Sequence, residues 1–428
     1  MEALAEQCAS QKPQRMPWMG CPVPAPDGYP GCLLGGRRPD CARCWAEWAC
    51  KRAREDGGDI ARVSDRWARE WVHGTLDGLC AGMEEEEKLP EALVEELRHG
   101  QMRFFGLTIP PEYGGEGWSA LKWLSVEEEF ARGYAFVRMI GHTMNGLFWR
   151  PLYDYGTEEQ RRRYLPGMAT GQIFAANSLT EPEGGTGRDI NAKATRDGDH
   201  YILNGHKWLI TQFPGLTTLF YAFAATEEGM TCFLVDAPAE GLVTQPMRRM
   251  MGCQGPRHYN IFYRDLRVHE SQILGEKGRG LDIALGMLHL SRVSIAACGV
   301  GTAQRMLDLA IDYAKRRHTF GKPVASRQAI QGNVAQMATE IEAARLLYQR
   351  AAWMFDQGKE IVTQAAMAKV YSEQMVVRVA EMALRIHGGV GFTQAYPLER
   401  HFRDCRSFHF EEGTEEIQKL LIARSLLR

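Results

Sequence analysis

The sequence carries almost no net charge: 51 lysines and arginines stand against 53 aspartates and glutamates, a formal balance of −2 over 428 residues. A dedicated nucleic-acid binder needs a basic excess, so that class is excluded. No uninterrupted apolar run of about 18 residues occurs, and no membrane span is expected. The chain does not open with a basic stretch followed by an apolar core, and Glu2 and Glu6 suit a mitochondrial transit peptide poorly, so a cytoplasmic location is expected. There is no internal repeat. Beyond residue 80 cysteine is sparse: Cys232, Cys253, Cys298 and Cys405 are scattered as buried thiols would be. The other seven (Cys8, Cys21, Cys32, Cys41, Cys44, Cys50 and Cys80) crowd the start. What remains, 45% hydrophobic and 24% charged residues, is a globular composition, and the length calls for two or three domains.

Residues 1–57 mix Pro, Gly, Cys and charge without helical period and read as an extension outside the main fold. Cys32, Cys41, Cys44 and Cys50 contain one Cys-x-x-Cys pair, half of a tetrahedral metal site or else free thiols of a docking tail; the metal is left unknown. Residues 58–172 read as a helical domain, with Trp67, Trp71, Leu76, Leu93 and Leu97 in period and a Pro/Gly turn after Phe104. The period changes to two for 173–278. There His200–Leu203 meets Asn204-Gly205, a hairpin signal, with further strands at Leu219–Ala224, Cys232–Val235 and Tyr259–Val268. Residues 279–428 are helical again: Val300, Ala303, Leu307, Ala310 and Ala314 step at three and four, as do Val334, Met337, Ile341, Ala344 and Tyr348. A third series runs from Ala365 towards Leu384, and three such helices with a short fourth predict a four-helix bundle. The expected class is mainly α with a middle antiparallel β domain.

Several short segments carry chemistry. His387-Gly388-Gly389-Val390-Gly391 is either a helix C-cap or a backbone cradle for an anion. Arg317-His318-Thr319-Phe320-Gly321 is either a basic helix end or an arginine poised for a pyrophosphate, with Phe320 against a ring system and Gln328 within reach of an adenine edge. Thr180-Glu181-Pro182-Glu183-Gly184-Gly185-Thr186 brings small polar residues to the start of the β domain. Near the end, Glu411-Glu412-Gly413-Thr414 sets a carboxylate beside a glycine between two helical patterns.

In order along the chain, Gly106–Gly115, Tyr155–Gln160, Leu179-Thr180-Glu181-Pro182, Asn204-Gly205-x-Lys207, Arg317-x-x-Phe320-Gly321, His387-Gly388-Gly389 and Glu412-Gly413-Thr414 resemble the acyl-CoA dehydrogenase family over roughly residues 60–428. That resemblance implies an N-terminal helical domain, a middle β domain and a C-terminal four-helix bundle, assembled as a homotetramer or homodimer. It implies an FAD enzyme of fatty acid metabolism that converts an acyl-CoA to a trans-2-enoyl-CoA and passes electrons to an electron-transferring flavoprotein. Glu412 matches the base that takes the α-proton while the β-hydride goes to flavin N5. Leu179, Thr180 and Thr211 match flavin-ring contacts. Arg317, Phe320 and Gln328 match residues that grip the adenine half across a subunit interface; Gly388, Gly389, Thr414 and Arg385 match others on the dinucleotide. Thr186 matches a pantetheine contact, Arg292 an arginine near the coenzyme A nucleotide, and Glu411 and Gly413 flank the substrate. Some family members place the base at the position of Ser291, which cannot serve.

The chain departs from the family in places. Gly184-Gly185-Thr186-Gly187 replaces Ala-Gly-Ser-Asp, Leu209 stands where a tryptophan covers the flavin (Trp208 is adjacent), and Arg385 replaces a glutamine. Glu411 replaces a common tyrosine, and the expectation is that it turns to solvent; otherwise two adjacent carboxylates point to a polar or cationic acyl group or a perturbed base. The rival readings on the same fold are an acyl-CoA oxidase, an enoyl-CoA reductase and a catalytically silent acyl-CoA-binding assembly subunit.

Overall fold

The computed structural model describes residues 68–69, 72–80, 89–99, 104–184, 189–213, 215–255 and 258–427. The cysteines at 32, 41, 44 and 50, and with them the candidate metal pair, lie outside the described residues, as does Thr186.

The first layer is helical: α1 (Glu91–His99), α2 (Ala120–Phe130), α3 (Ala135–Gly141), α4 (Trp149–Tyr155) and α5 (Glu158–Ala169). Thr157 caps α5 reciprocally with Gln160, so both exposed backbone donors at that end are satisfied. Between α3 and α4 runs a wide π-helical turn, His142–Leu147, whose Asn145 side chain accepts from Leu107 N and donates to Phe104 O, each at 2.9 Å.

The β domain comprises β1 (Phe174–Ser178), β2 (Lys193–Asp197), β3 (His200–Thr211), β4 (Thr217–Thr226), β5 (Gly229–Asp236), β6 (Leu242–Pro246), β7 (His258–His269) and β8 (Ile273–Leu274). The sheet runs β6-β7-β3-β2-β4-β5-β8, with β1 parallel to β4. The Asn204-Gly205 hairpin expected from sequence is absent: β3 passes straight through it, and the tight turn is Asp197–His200, with Gly198 at φ 65. The glycine is required for close approach rather than for a turn, because a Cβ on Gly205 would lie 2.5 Å from Ala192 Cβ. Asn204 instead reaches across to β7, where its side chain bonds Asp265. β3 later gains one extra residue against β7 between Lys207 and Ile210, a bulge in which Leu209 takes φ 55.

The bundle is α6 (Gly280–Arg316), α7 (Gln328–Asp356), α8 (Val362–His387) and α10 (Glu415–Leu426), with α9 (Leu398–Asp404) between the last two. α6 is long and apolar enough to cross a membrane by length and composition, but 78% of an apolar 18-residue stretch of it is buried inside the protein. It is the shared wall, because its first turns join the core of the helical layer and its remainder the core of the bundle.

Candidate active site

Three elements converge on the loop between α9 and α10. The loop bends through two left-handed residues, Glu412 at φ 57 and Gly413 at φ 92. A glutamate there costs on the order of 1–2 kcal/mol, and the surroundings hold it in place. Arg292 Nε of α6 donates to the Glu412 carbonyl at 3.2 Å, and Gln418 Nε2 of α10 donates to the same oxygen at 3.0 Å. The carboxylate, with its side chain 13% exposed, bonds through Oε1 to His142 Nε2 at 3.1 Å. His142 Nδ1 in turn meets Ser294 Oγ of α6 at 3.0 Å. Ser291 lies on the same face of α6, with Oγ 3.4 Å from His142 Nε2.

Glu411 does not turn to solvent. It faces inward and forms a two-pronged pair with the buried Arg138 of α3, at 2.6 and 2.7 Å. A buried guanidinium needs a partner, and this one also touches Ser407 Oγ, Cys253 Sγ and the face of Phe408. Burial alone would push the Glu411 carboxyl up; the Arg138 charge and hydrogen bonds outweigh it and hold it at about 2. The adjacent carboxylates are thus separated, one neutralised by arginine and the other held by histidine.

Beside the His142 backbone lies Glu127 of α2, fully buried, with Cys298 Sγ 3.5 Å from its Oε1. Burial pushes its carboxyl up to about 8; Cys298 and the Arg138 charge offset this only in part.

The remaining predicted residues divide into two groups. Leu179 and Thr180 follow β1 on a strap pinned from beneath by Lys207, whose Nζ donates to Leu179 O at 3.1 Å and Glu181 Oε1 at 2.8 Å. Thr180 O accepts from Trp208 N at 3.0 Å, and Thr211 Oγ1 lies 3.3 Å from His258 Nε2. Trp208 rather than Leu209 is therefore tied to the strap, while Leu209 is pushed outward, 42% exposed. The second group lies at ends of bundle helices: Arg317 and Gln328 are exposed, Phe320 is 96% exposed at φ 49, and open space adjoins Gly388 and Gly389. Thr414 starts α10. Arg385 pairs with Glu381 on the outside of α8. Arg292 is 3% exposed and spans to the base loop.

Sequence reasoning missed His142, Arg138, Ser294 and Gln418, and named Lys207 without giving it a role. One signal was available, since Arg138 and His142 are two ionisable residues four apart in an otherwise apolar helical run.

With this geometry in place, comparison with known proteins is informative. Three domain families match in order: acyl-CoA dehydrogenase N-terminal domain at residues 63–172, middle domain at 176–266 and C-terminal domain at 278–427. The chain belongs to the acyl-CoA dehydrogenase family, whose members are FAD-dependent oxidoreductases acting on CH–CH bonds. It is 35% identical to a 3-(aryl)acrylate reductase of Clostridium sporogenes, over 84% of this chain and 97% of that protein. It is 36% identical to the caffeyl-CoA reductase-Etf complex subunit CarC of Acetobacterium woodii, over 81% and 92%. Among solved structures, butyryl-CoA dehydrogenase from Megasphaera elsdenii superposes with a TM-score of 0.81 at 30% identity, over 86% of this chain and 98% of that one.

Proposed function

We propose that the protein removes the α-proton and β-hydride of an acyl-CoA thioester, with Glu412 as the base, giving a trans-2-enoyl-CoA. An α-hydrogen beside a thioester is weakly acidic, so its removal needs a carboxylate fixed in place and a donor for the developing enolate oxygen. The observation that carries this reading is the grip on Glu412. Its backbone is locked in a left-handed bend by Arg292 and Gln418, and one carboxylate oxygen is tethered to His142. Among the described residues, no other side chain hydrogen-bonds this carboxylate, which leaves Oε2 for the proton. No hydrogen bond among the described residues engages the Glu412 N–H either, so it is available to the thioester oxygen.

The residues present suit a flavin dinucleotide. Polar backbone at Leu179 and Thr180 offers ring contacts, and exposed Arg317, Phe320 and Gln328 offer a cation, an aromatic face and an amide. The open backbone at Gly388 and Gly389 allows close approach of an anion. When bound, FAD supplies the two-electron acceptor for the hydride leaving the β-carbon. Exposed Phe320, Phe392 (86%) and Leu427 (87%) favour burial against a second copy in a dimer or tetramer. The Etf-complex relative favours an electron-transferring flavoprotein as redox partner.

The named reductases favour a second reading, in which the same site runs toward saturation and Glu412 returns the proton. Anaerobic addition of acyl-CoAs to the flavin-loaded protein decides between them. Bleaching of the flavin band by butyryl-CoA, absent in Glu412→Gln, supports dehydrogenation. A flavin that no saturated thioester bleaches, yet whose reduced form is reoxidised by an aryl-acrylyl-CoA, supports reduction. Bleaching that persists in Glu412→Gln removes the carboxylate from the mechanism.

A further inference from the structure

We infer that His142 is a positioning residue for Glu412: it donates Nε2–H to the carboxylate, with its tautomer fixed by Ser294, and so holds the base in one orientation. The inference rests on Glu412 being the base. An ionised carboxylate only accepts hydrogen bonds, so a neutral imidazole facing it must carry its proton on Nε2. Nδ1 is then an acceptor, and Ser294 Oγ, buried and 3.0 Å away, is the donor that completes it. The link runs from a rigid part of α6 through the imidazole to Oε1 of Glu412, giving the carboxylate one preferred orientation out of several.

The surroundings make this contact the adjustable one. Glu127 of α2 lies beside the His142 backbone, and Cys298 of α6 caps it at 3.5 Å. Arg138 of α3 and Glu411 of the base loop lie beside it as a closed pair, with His258 of β7 and Cys253 facing them. Arg292 of α6 lies on the backbone side of Glu412. Every other charged group near the base is thus committed elsewhere or faces the loop rather than the carboxylate. His142 alone among the described side chains hydrogen-bonds the reactive oxygens.

Two measurements on the flavin-loaded protein test this. In protein carrying 15N-labelled histidine, the His142 signal, assigned by its loss in His142→Gln, should show the Nε2–H tautomer at neutral pH. It should change in Glu412→Gln and in Ser294→Ala. At saturating butyryl-CoA the rate of flavin reduction should fall about tenfold in His142→Phe while the half-saturating concentration stays near wild type, as for a reacting group that loses its orientation. The rate should return toward wild type in His142→Gln, whose amide nitrogen occupies the Nε2 position, and fall part of the way in Ser294→Ala, which leaves the imidazole in place. An Nδ1–H tautomer overturns the inference, as does a reduction rate that His142→Phe and Ser294→Ala leave where wild type has it. If no thioester reduces the wild-type flavin, the dehydrogenase reading is what fails; the tautomer measurement, made without substrate, still decides the hydrogen bond.

Discussion

Arg138 and Glu411 meet through two hydrogen bonds, 2.6 and 2.7 Å long, and join the first helical layer to the loop that carries Glu412. The two residues are 273 positions apart in the sequence. The arginine side chain is 1% exposed and the glutamate 24%. The glutamate that looked like a spare carboxylate is therefore the anchor of the base loop.

Breaking that anchor on one side should be costly. Arg138→Met leaves Glu411 without its cation, and removing one partner of a buried pair costs about 3–5 kcal/mol. A thermal melt should show a drop of several degrees or more. Glu411→Gln, which keeps one acceptor, should lose less. Equal, negligible losses would show that the pair does not hold the loop.

The same pair sets acid stability. The folded carboxyl of Glu411 is held at about 2, below its ordinary value of 4.5. A depressed carboxyl contributes stability above the unfolded value, and that contribution is lost as pH falls toward the folded one. Between pH 4.5 and 2, wild type should lose its advantage over Glu411→Gln. Urea melts across that window check the sign; a difference that grows on acidification contradicts it.

Glu127 has the opposite sign. Its folded carboxyl is raised from 4.5 to about 8, chiefly by burial, so the folded state keeps a proton that the unfolded chain releases. That interaction is fully favourable only below the unfolded value, and stability falls as pH climbs from 4.5 to 8, by about 5 kcal/mol at 1.4 kcal/mol per pH unit. Glu127→Gln, similar in shape to the protonated acid, should flatten this decline and melt higher than wild type at pH 8. Parallel curves for the two proteins would mean that Glu127 is ionised in the fold.

Lys207 should matter for flavin retention. It is wholly buried and holds Leu179 O and Glu181 Oε1. Lys207→Met should free the strap and leave Glu181 without its cation, so purified protein should carry several-fold less flavin per chain. Full flavin occupancy in this variant would separate the strap from the cofactor.

Much of this architecture was legible because it rests on local pattern. The three- and four-residue steps of Val300–Ala314 and Val334–Tyr348 became α6 and α7, and the stretches Leu219–Ala224, Cys232–Val235 and Tyr259–Val268 became β4, β5 and β7. Asn204-Gly205 misled because the dipeptide that makes a tight turn also fits a close approach, and only the packing of Ala192 against Gly205 distinguishes them. Glu412 was readable from its neighbours in sequence. Most of what holds it was not: His142, Ser294 and Arg292 arrive from two elements more than 100 residues away, and no local period records such a meeting. Glu411 failed for the same reason, since its partner lies on a helix at the other end of the chain.

The central claim, that Glu412 takes the α-proton, is tested most directly by hydrogen exchange at that carbon with hydride transfer blocked. The flavin-loaded protein is reduced with dithionite, mixed with butyryl-CoA in D2O, and the thioester is followed by mass spectrometry. The account predicts deuterium entering the α-position with wild type and no exchange above the enzyme-free rate with Glu412→Gln. Exchange that continues undiminished in Glu412→Gln would contradict it.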